Sequence, residues 1–154
     1  MTASERARMY DYISQDLRAV ICDRREPLDE LRQHINTLPP DIRTIAGMVD
    51  SFFVFEKDGN GDDGLSVEYQ DDITGTILHA VGLARCVLEY PADELTLVIL
   101  HELAHIATGD YMRKTALHGE EYQQYLDYLI MLYNSATGSS LQNDYFGLSP
   151  HTGN

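Results

Sequence analysis

The spacing of apolar residues changes twice along the chain, and the changes divide it into three parts. Over the first third, apolar positions recur at three and four residues. Met9, Ile13, Leu17, Val20 and Ile21 mark one face of a helix that Thr2 and Glu5 open with capping-box spacing. Pro27 opens a second helix carrying Leu28, Leu31, Ile35 and Leu38, and "LPP" ends it. A short third helix is expected from Asp41 to Met48, which makes residues 1–48 a helical N-terminal part. The middle has a different character. "SFFVFEK" and "GLSVEYQ" are rich in aromatic and β-branched residues, and the turn-forming "DGNGDDG" between them predicts a hairpin. "TILHAVG" and "ARCVLEY" are two further strand-like runs, so strands are expected across residues 51–90, with His79 a locally satisfied or solvent-facing strand residue.

From Asp93 to Thr108 apolar residues occupy nearly every side of a helical wheel, the pattern of a central helix covered by other elements, and Gly109 suits its C-cap. The polar connection "DYMRKTA" leads to a second helical pattern from His118 to Tyr133, so residues 93–136 hold two long helices. Residues 138–154 show no periodicity and read as an irregular tail. The expected fold class is α+β, with N-terminal helices, a small and mostly antiparallel sheet, and two C-terminal helices. A chain of 154 residues accommodates this as one domain with one core, and neither an internal repeat nor a linker divides it.

Composition narrows the function classes. Hydrophobic residues at 44% and charged residues at 23% are the balance of a soluble globular protein. No run approaches the roughly 18 apolar residues of a membrane span. The charged start "MTASERARMYDY" lacks a secretory apolar core, so a cytoplasmic protein without a membrane partner is expected. Cys22 and Cys86 have no CxxC spacing and fall in apolar segments, as reduced thiols packed like small hydrophobes do. Acidic residues outnumber basic ones 25 to 11, and the net charge of −14 repels phosphate backbones, so nucleic acid is not an expected partner. Arg24 and Arg25, with Arg18 and Arg32 nearby, read as a solvated helix face. Asp58, Asn60 and Asp62 alternate as in a calcium loop, but Asp63 stands where glycine is needed and Tyr69 where a bidentate glutamate is needed, which leaves a solvated turn.

The run "LVILHELAHIATGDY" carries the chemistry. Positions four apart on a helix lie one turn above each other, so His101 and His105 present their rings on one face at a separation that one metal ion bridges. Glu102 projects beside the pair, where a carboxylate reaches a water on the metal without being a ligand. HExxH on a helix is the zincin signature. Catalytic zinc takes three protein ligands and keeps a position for water, and His118, Glu120 and Glu121 are the downstream candidates for the third. Thr108 and Tyr111, where a metzincin has glycine and histidine, exclude that pattern.

The longer stretch "HELAHIATGDYMRKTALHGEEY" resembles the SprT-like and related small metallopeptidases, in which HExxH is followed, after a loop of about this length, by HGxxF or HGxxW. The resemblance covers roughly Leu95 to Leu129. It implies a zincin-like fold, His101, His105 and His118 as ligands of one Zn2+ per chain, Glu102 as general base, and Tyr122 as the packed aromatic. Tyrosine replaces the usual phenylalanine or tryptophan, and the cysteine-rich zinc ribbon of some members is missing. Glutamate is the third ligand in gluzincins, which keeps Glu121 as the rival; with His118 bound, Glu121 can instead accept a hydrogen bond from a ligating imidazole. Tyr111, Tyr122 and Tyr125 are candidates to stabilise an oxyanion. The expected function is peptide-bond hydrolysis by a metal-bound water that Glu102 activates, with a peptide or protein substrate paired to an edge strand near "ARCVLEY", as the resemblance implies. The alternatives are a zinc-stabilised regulatory or protein-interaction module without turnover, and a core helix whose histidines are hydrogen-bonded with no metal.

Overall fold

Three consecutive buried residues, Phe53, Val54 and Phe55, set the architecture, because a strand buried on both faces belongs in the interior of a sheet. The computed structural model describes residues 20–22, 24–57, 62–71, 73–112 and 116–143. They form an α+β fold: β1 (Val20–Ile21), α1 (Arg25–Asn36), α2 (Pro40–Ala46), β2 (Ser51–Glu56), β3 (Gly64–Gln70), β4 (Ile77–Ala84), α3 (Ala92–Thr108) and α4 (Glu120–Thr137). Short 3-10 turns at Arg85–Glu89 and Asp110–Met112 flank α3. The sheet order is β1-β2-β4-β3, with β2 parallel to β4 and the other two pairs antiparallel.

The expected hairpin between "SFFVFEK" and "GLSVEYQ" is therefore corrected: β4 lies between these strands, pairing Phe53 with Gly82 on one side and Leu65 with Gly82 on the other. The hairpin is β3–β4, closed by a turn in which the Asp71 side chain accepts from the Ile73 N–H at 2.9 Å. "ARCVLEY" is not a strand, since β4 ends at Ala84 and the next five residues coil into a 3-10 turn. The first expected helix lies outside the described residues up to residue 19. Its last two positions, Val20 and Ile21, are instead in β1, where β-branched residues suit the pairing with Glu56 and Phe55.

The helical expectations after that hold with shifted ends. Pro27 sits in the first turn of α1, where its missing N–H is one the helix would leave unbonded anyway, and α2 runs from Pro40. Leu31, Ile35 and Ile42 are buried in the core. Cys22 is half-buried as expected, whereas Cys86 is exposed on its 3-10 turn, and both are free thiols. Arg24, Arg25 and Arg32 are exposed, and Arg25 pairs with Asp29 one turn on. Asp63, from the acidic loop, accepts a hydrogen bond from Lys57 at 2.8 Å. Among the described residues no helix is long and apolar enough to cross a membrane.

Helix α3 packs against β3, β4 and α4, and every residue from Val98 to His105 is buried. Its C-cap Gly109 takes a left-handed conformation (φ 69°) and turns the chain back. Helix α4 then runs antiparallel to α3: the Tyr133 hydroxyl, near its end, donates to Asp93 at the start of α3 at 2.9 Å. It starts at Glu120, two residues later than expected, so His118 and Gly119 belong to the approach rather than to the helix.

Candidate metal centre

Helical periodicity brings the first two imidazoles together, with Nε2 of His101 and His105 3.2 Å apart. The loop after α3 adds the third: Nε2 of His118 lies 3.1 Å from that of His105. His118 and neither glutamate completes the cluster. Glu120 and Glu121 are exposed on the outer side of α4, Glu120 bonded to Gln124 and Glu121 lining a shallow cavity of about 360 Å³ with Ala107, Thr108, Gln124, Tyr125 and Tyr128.

Two features hold His118 in place. Its backbone has the left-handed φ of 52°, a conformation that costs a non-glycine residue about 1–3 kcal/mol and persists only where its surroundings impose it. The Asp110 carboxylate imposes it, accepting from the His118 N–H at 2.9 Å. Gly119 allows the tight approach that follows, because a Cβ there would sit 2.8 Å from the Ala116 side chain. The other oxygen of Asp110 accepts from His105 Nδ1 at 2.6 Å. Fully buried, Asp110 therefore orients one imidazole and anchors the backbone of another.

This contact decides the chemistry of the donor set. With its proton on Nδ1, a neutral His105 turns a single in-plane lone pair from Nε2 toward the two other rings. That lone pair can accept one N–H in line but not two, whereas a shared cation draws one lone pair from each ring. A four-coordinate ion with metal–nitrogen bonds of about 2.0–2.1 Å sets its ligand nitrogens about 3.3 Å apart, close to the observed separations. The three residues fit a divalent metal.

Glu102 lies beside them, fully buried, with Oε2 3.5 Å from His101 Nε2. Its other oxygen accepts from the Ser66 hydroxyl of β3 at 2.8 Å. Strand β3 comes this close because residue 64 is glycine: a Cβ there would fall 2.6 Å from Glu102 Oε2. Tyr122 forms the floor. Its buried ring stands 4.6 Å from His105, 5.0 Å from His118 and 5.7 Å from His101 between centroids, and its hydroxyl donates to the His101 carbonyl at 3.1 Å. Tyr111 is hydrogen-bonded to Nδ1 of the half-buried His79, and Tyr125 stacks edge-on with Tyr128, burial raising its pKa.

Asp110, Ser66 and Gly64 are site residues that the HExxH reading does not reach. Asp110 alone leaves a local trace, an acid directly after a helix-capping glycine and five residues past His105. Comparison of the chain with protein-family models, with curated proteins and with solved structures returned no match.

Proposed function

We propose that this chain is a zinc-dependent peptidase of zincin type, with His101, His105 and His118 holding the metal and Glu102 as general base. The observation that carries the reading is a buried carboxylate set beside three convergent imidazoles, because a purely structural zinc site has no use for an additional acid at its edge. When bound, zinc supplies a Lewis acid that polarises a carbonyl and acidifies water toward neutral pH. Glu102 accepts a proton from the attacking water and returns it to the leaving amine, so that water and the peptide bond become a carboxylic acid and an amine. Asp110 keeps His105 in the tautomer that leaves Nε2 to the metal. Burial excludes bulk water from His101, Glu102 and His105, which strengthens the interactions among them. The substrate strand is reassigned from "ARCVLEY" to β3, an outer strand of the sheet whose Ser66 touches Glu102, and an extended peptide would lie along it.

Zinc content and hydrolysis of an unfolded polypeptide test the reading. About one zinc per chain is expected, with cleavage abolished by chelators. Glu102→Gln should retain zinc and lose cleavage. His118→Ala should weaken zinc binding far more than Glu121→Ala; the opposite order would move the third ligand to the glutamate. A zinc-loaded chain that cleaves nothing across pH and substrates would favour a zinc-stabilised interaction module.

A further inference from the structure

We propose that Ser66 is the positioning residue of Glu102: it holds the carboxylate in the orientation that sets one oxygen, Oε2, beside His101 in the histidine cluster. The proposal rests on the peptidase reading for its kinetic consequence and on geometry for the contact itself. A glutamate on a helix has three side-chain torsions, and its carboxylate rotates freely unless something grips it. The neighbouring strand provides such a grip. Gly64 and Ser66, two apart on β3, face the same side of the sheet and meet Glu102 together.

Their parts differ. Gly64 is a seat, since the absence of a side chain lets the strand backbone close on the carboxylate. Ser66 is a pin. Its one hydroxyl proton goes to Oε1 at 2.8 Å in preference to the Glu102 carbonyl at 3.4 Å, because the shorter bond to a carboxylate is the stronger one. With Oε1 gripped, Oε2 is the oxygen on the histidine side, 3.5 Å from His101 Nε2. Turning the carboxylate plane so that no oxygen is left on the histidine side would break the Ser66 bond, whereas a half-turn only exchanges two equivalent oxygens. The pin also comes from an outer strand of the sheet, the one along which an extended substrate is proposed to lie. A substrate that pairs with β3 would therefore tighten the element that aims the base.

The test uses the zinc-loaded full chain carrying Ser66→Ala or Ser66→Thr, each alone and combined with Glu102→Gln. Threonine keeps the hydroxyl and suits a strand. Ser66→Ala is expected to lower kcat about 10- to 100-fold, the worth of a hydrogen bond to a charged group, with KM for an unfolded polypeptide and zinc affinity changed less than about twofold. Ser66→Thr should restore kcat. Acetohydroxamate provides a readout without turnover: it sheds a proton on chelating a metal, and a carboxylate beside the site takes that proton. Its affinity should fall about tenfold in Ser66→Ala and recover in Ser66→Thr, and in the Glu102→Gln background, where cleavage is already lost, Ser66→Ala should cost no further affinity. Wild-type kcat and hydroxamate affinity in Ser66→Ala would overturn the proposal. So would an equal loss of hydroxamate affinity in the Glu102→Gln background, or a loss explained by released zinc. If the wild-type chain binds zinc and cleaves nothing, the peptidase reading fails while the hydroxamate measurement still decides the role of Ser66.

Discussion

Replacing Asp110 by asparagine changes one atom and leaves the volume intact, yet it puts two requirements in conflict. The carboxylate accepts from two donors at once, His105 Nδ1 and the His118 N–H. A carboxamide has one oxygen to offer. If that oxygen stays with the His118 N–H, the amide NH₂ faces His105 Nδ1 and drives the ring proton to Nε2, the atom 3.1 and 3.2 Å from the other two imidazoles; a protonated Nε2 cannot ligate. If the oxygen turns to His105 instead, the NH₂ opposes the His118 N–H, and the left-handed backbone there loses the bond that holds it. Leaving a buried donor unsatisfied costs about 1–3 kcal/mol, and loss of a hydrogen bond orienting a metal ligand typically weakens metal binding about 10- to 100-fold. Competition against a chelator of known affinity measures the second quantity, and thermal melts with and without zinc measure the first. Zinc affinity within twofold of wild type, together with an unchanged melting temperature of the zinc-free protein, would refute the role assigned to Asp110.

Three more outcomes are expected. Gly64→Ala should push Glu102 off its seat, costing about 1–3 kcal/mol by overpacking and lowering hydrolysis more than zinc affinity; parallel melts, zinc titrations and peptide cleavage decide this, and wild-type cleavage would contradict it. Tyr122→Phe removes the hydroxyl that bonds the His101 carbonyl and should cost about 0.5–1.5 kcal/mol in a melt while zinc binding persists, because the ring still packs on all three imidazoles. His34 bonds to Thr96 through Nε2 at 2.8 Å, and burial holds its pKa below the ordinary 6.5. The unfolded chain therefore binds the proton more readily, so stability associated with this residue is present above about pH 6.5 and is lost as pH falls through the depressed folded value. Melting temperatures of wild type and His34→Gln across this range should differ in slope, the wild type falling more steeply with acid; parallel slopes would count against the assignment.

The parts of the fold legible in the sequence are those that repeat locally. The all-round apolar wheel of Asp93 to Thr108 marked α3 as a buried helix, and the three-and-four spacing of Leu28, Leu31 and Ile35 marked α1, because helix periodicity is a property of a few adjacent turns. Sheet order is not such a property. Turn-forming residues at 58–63 show that the chain reverses, and nothing in them says that a strand formed later in sequence will slide between the two. A sign of this was present in Phe52 to Phe55, four apolar residues in a row, which is the mark of an interior strand rather than one half of an exposed hairpin. Gly82, at the end of the run "TILHAVG", lies inside β4, where the Phe53 ring fills the space a Cβ would need.

The same division runs through the candidate site. His101, Glu102 and His105 share one helix, and their relative placement follows from 3.6 residues per turn. His118 comes from a loop with no periodicity, and its approach depends on Asp110, which lies close enough in sequence to act as a local anchor. Ser66 and Gly64 are 36 and 38 positions before Glu102 and meet it only because β4 displaces β3 to the outside of the sheet, against α3. The helical repeat thus encodes the placement of His101, Glu102 and His105, and the topology of the sheet encodes the groups that meet the carboxylate. Substitutions in HExxH should erase binding or turnover outright. Substitutions in the strand should grade turnover while leaving the histidines in place, because the strand touches the carboxylate and the helix carries the ligands.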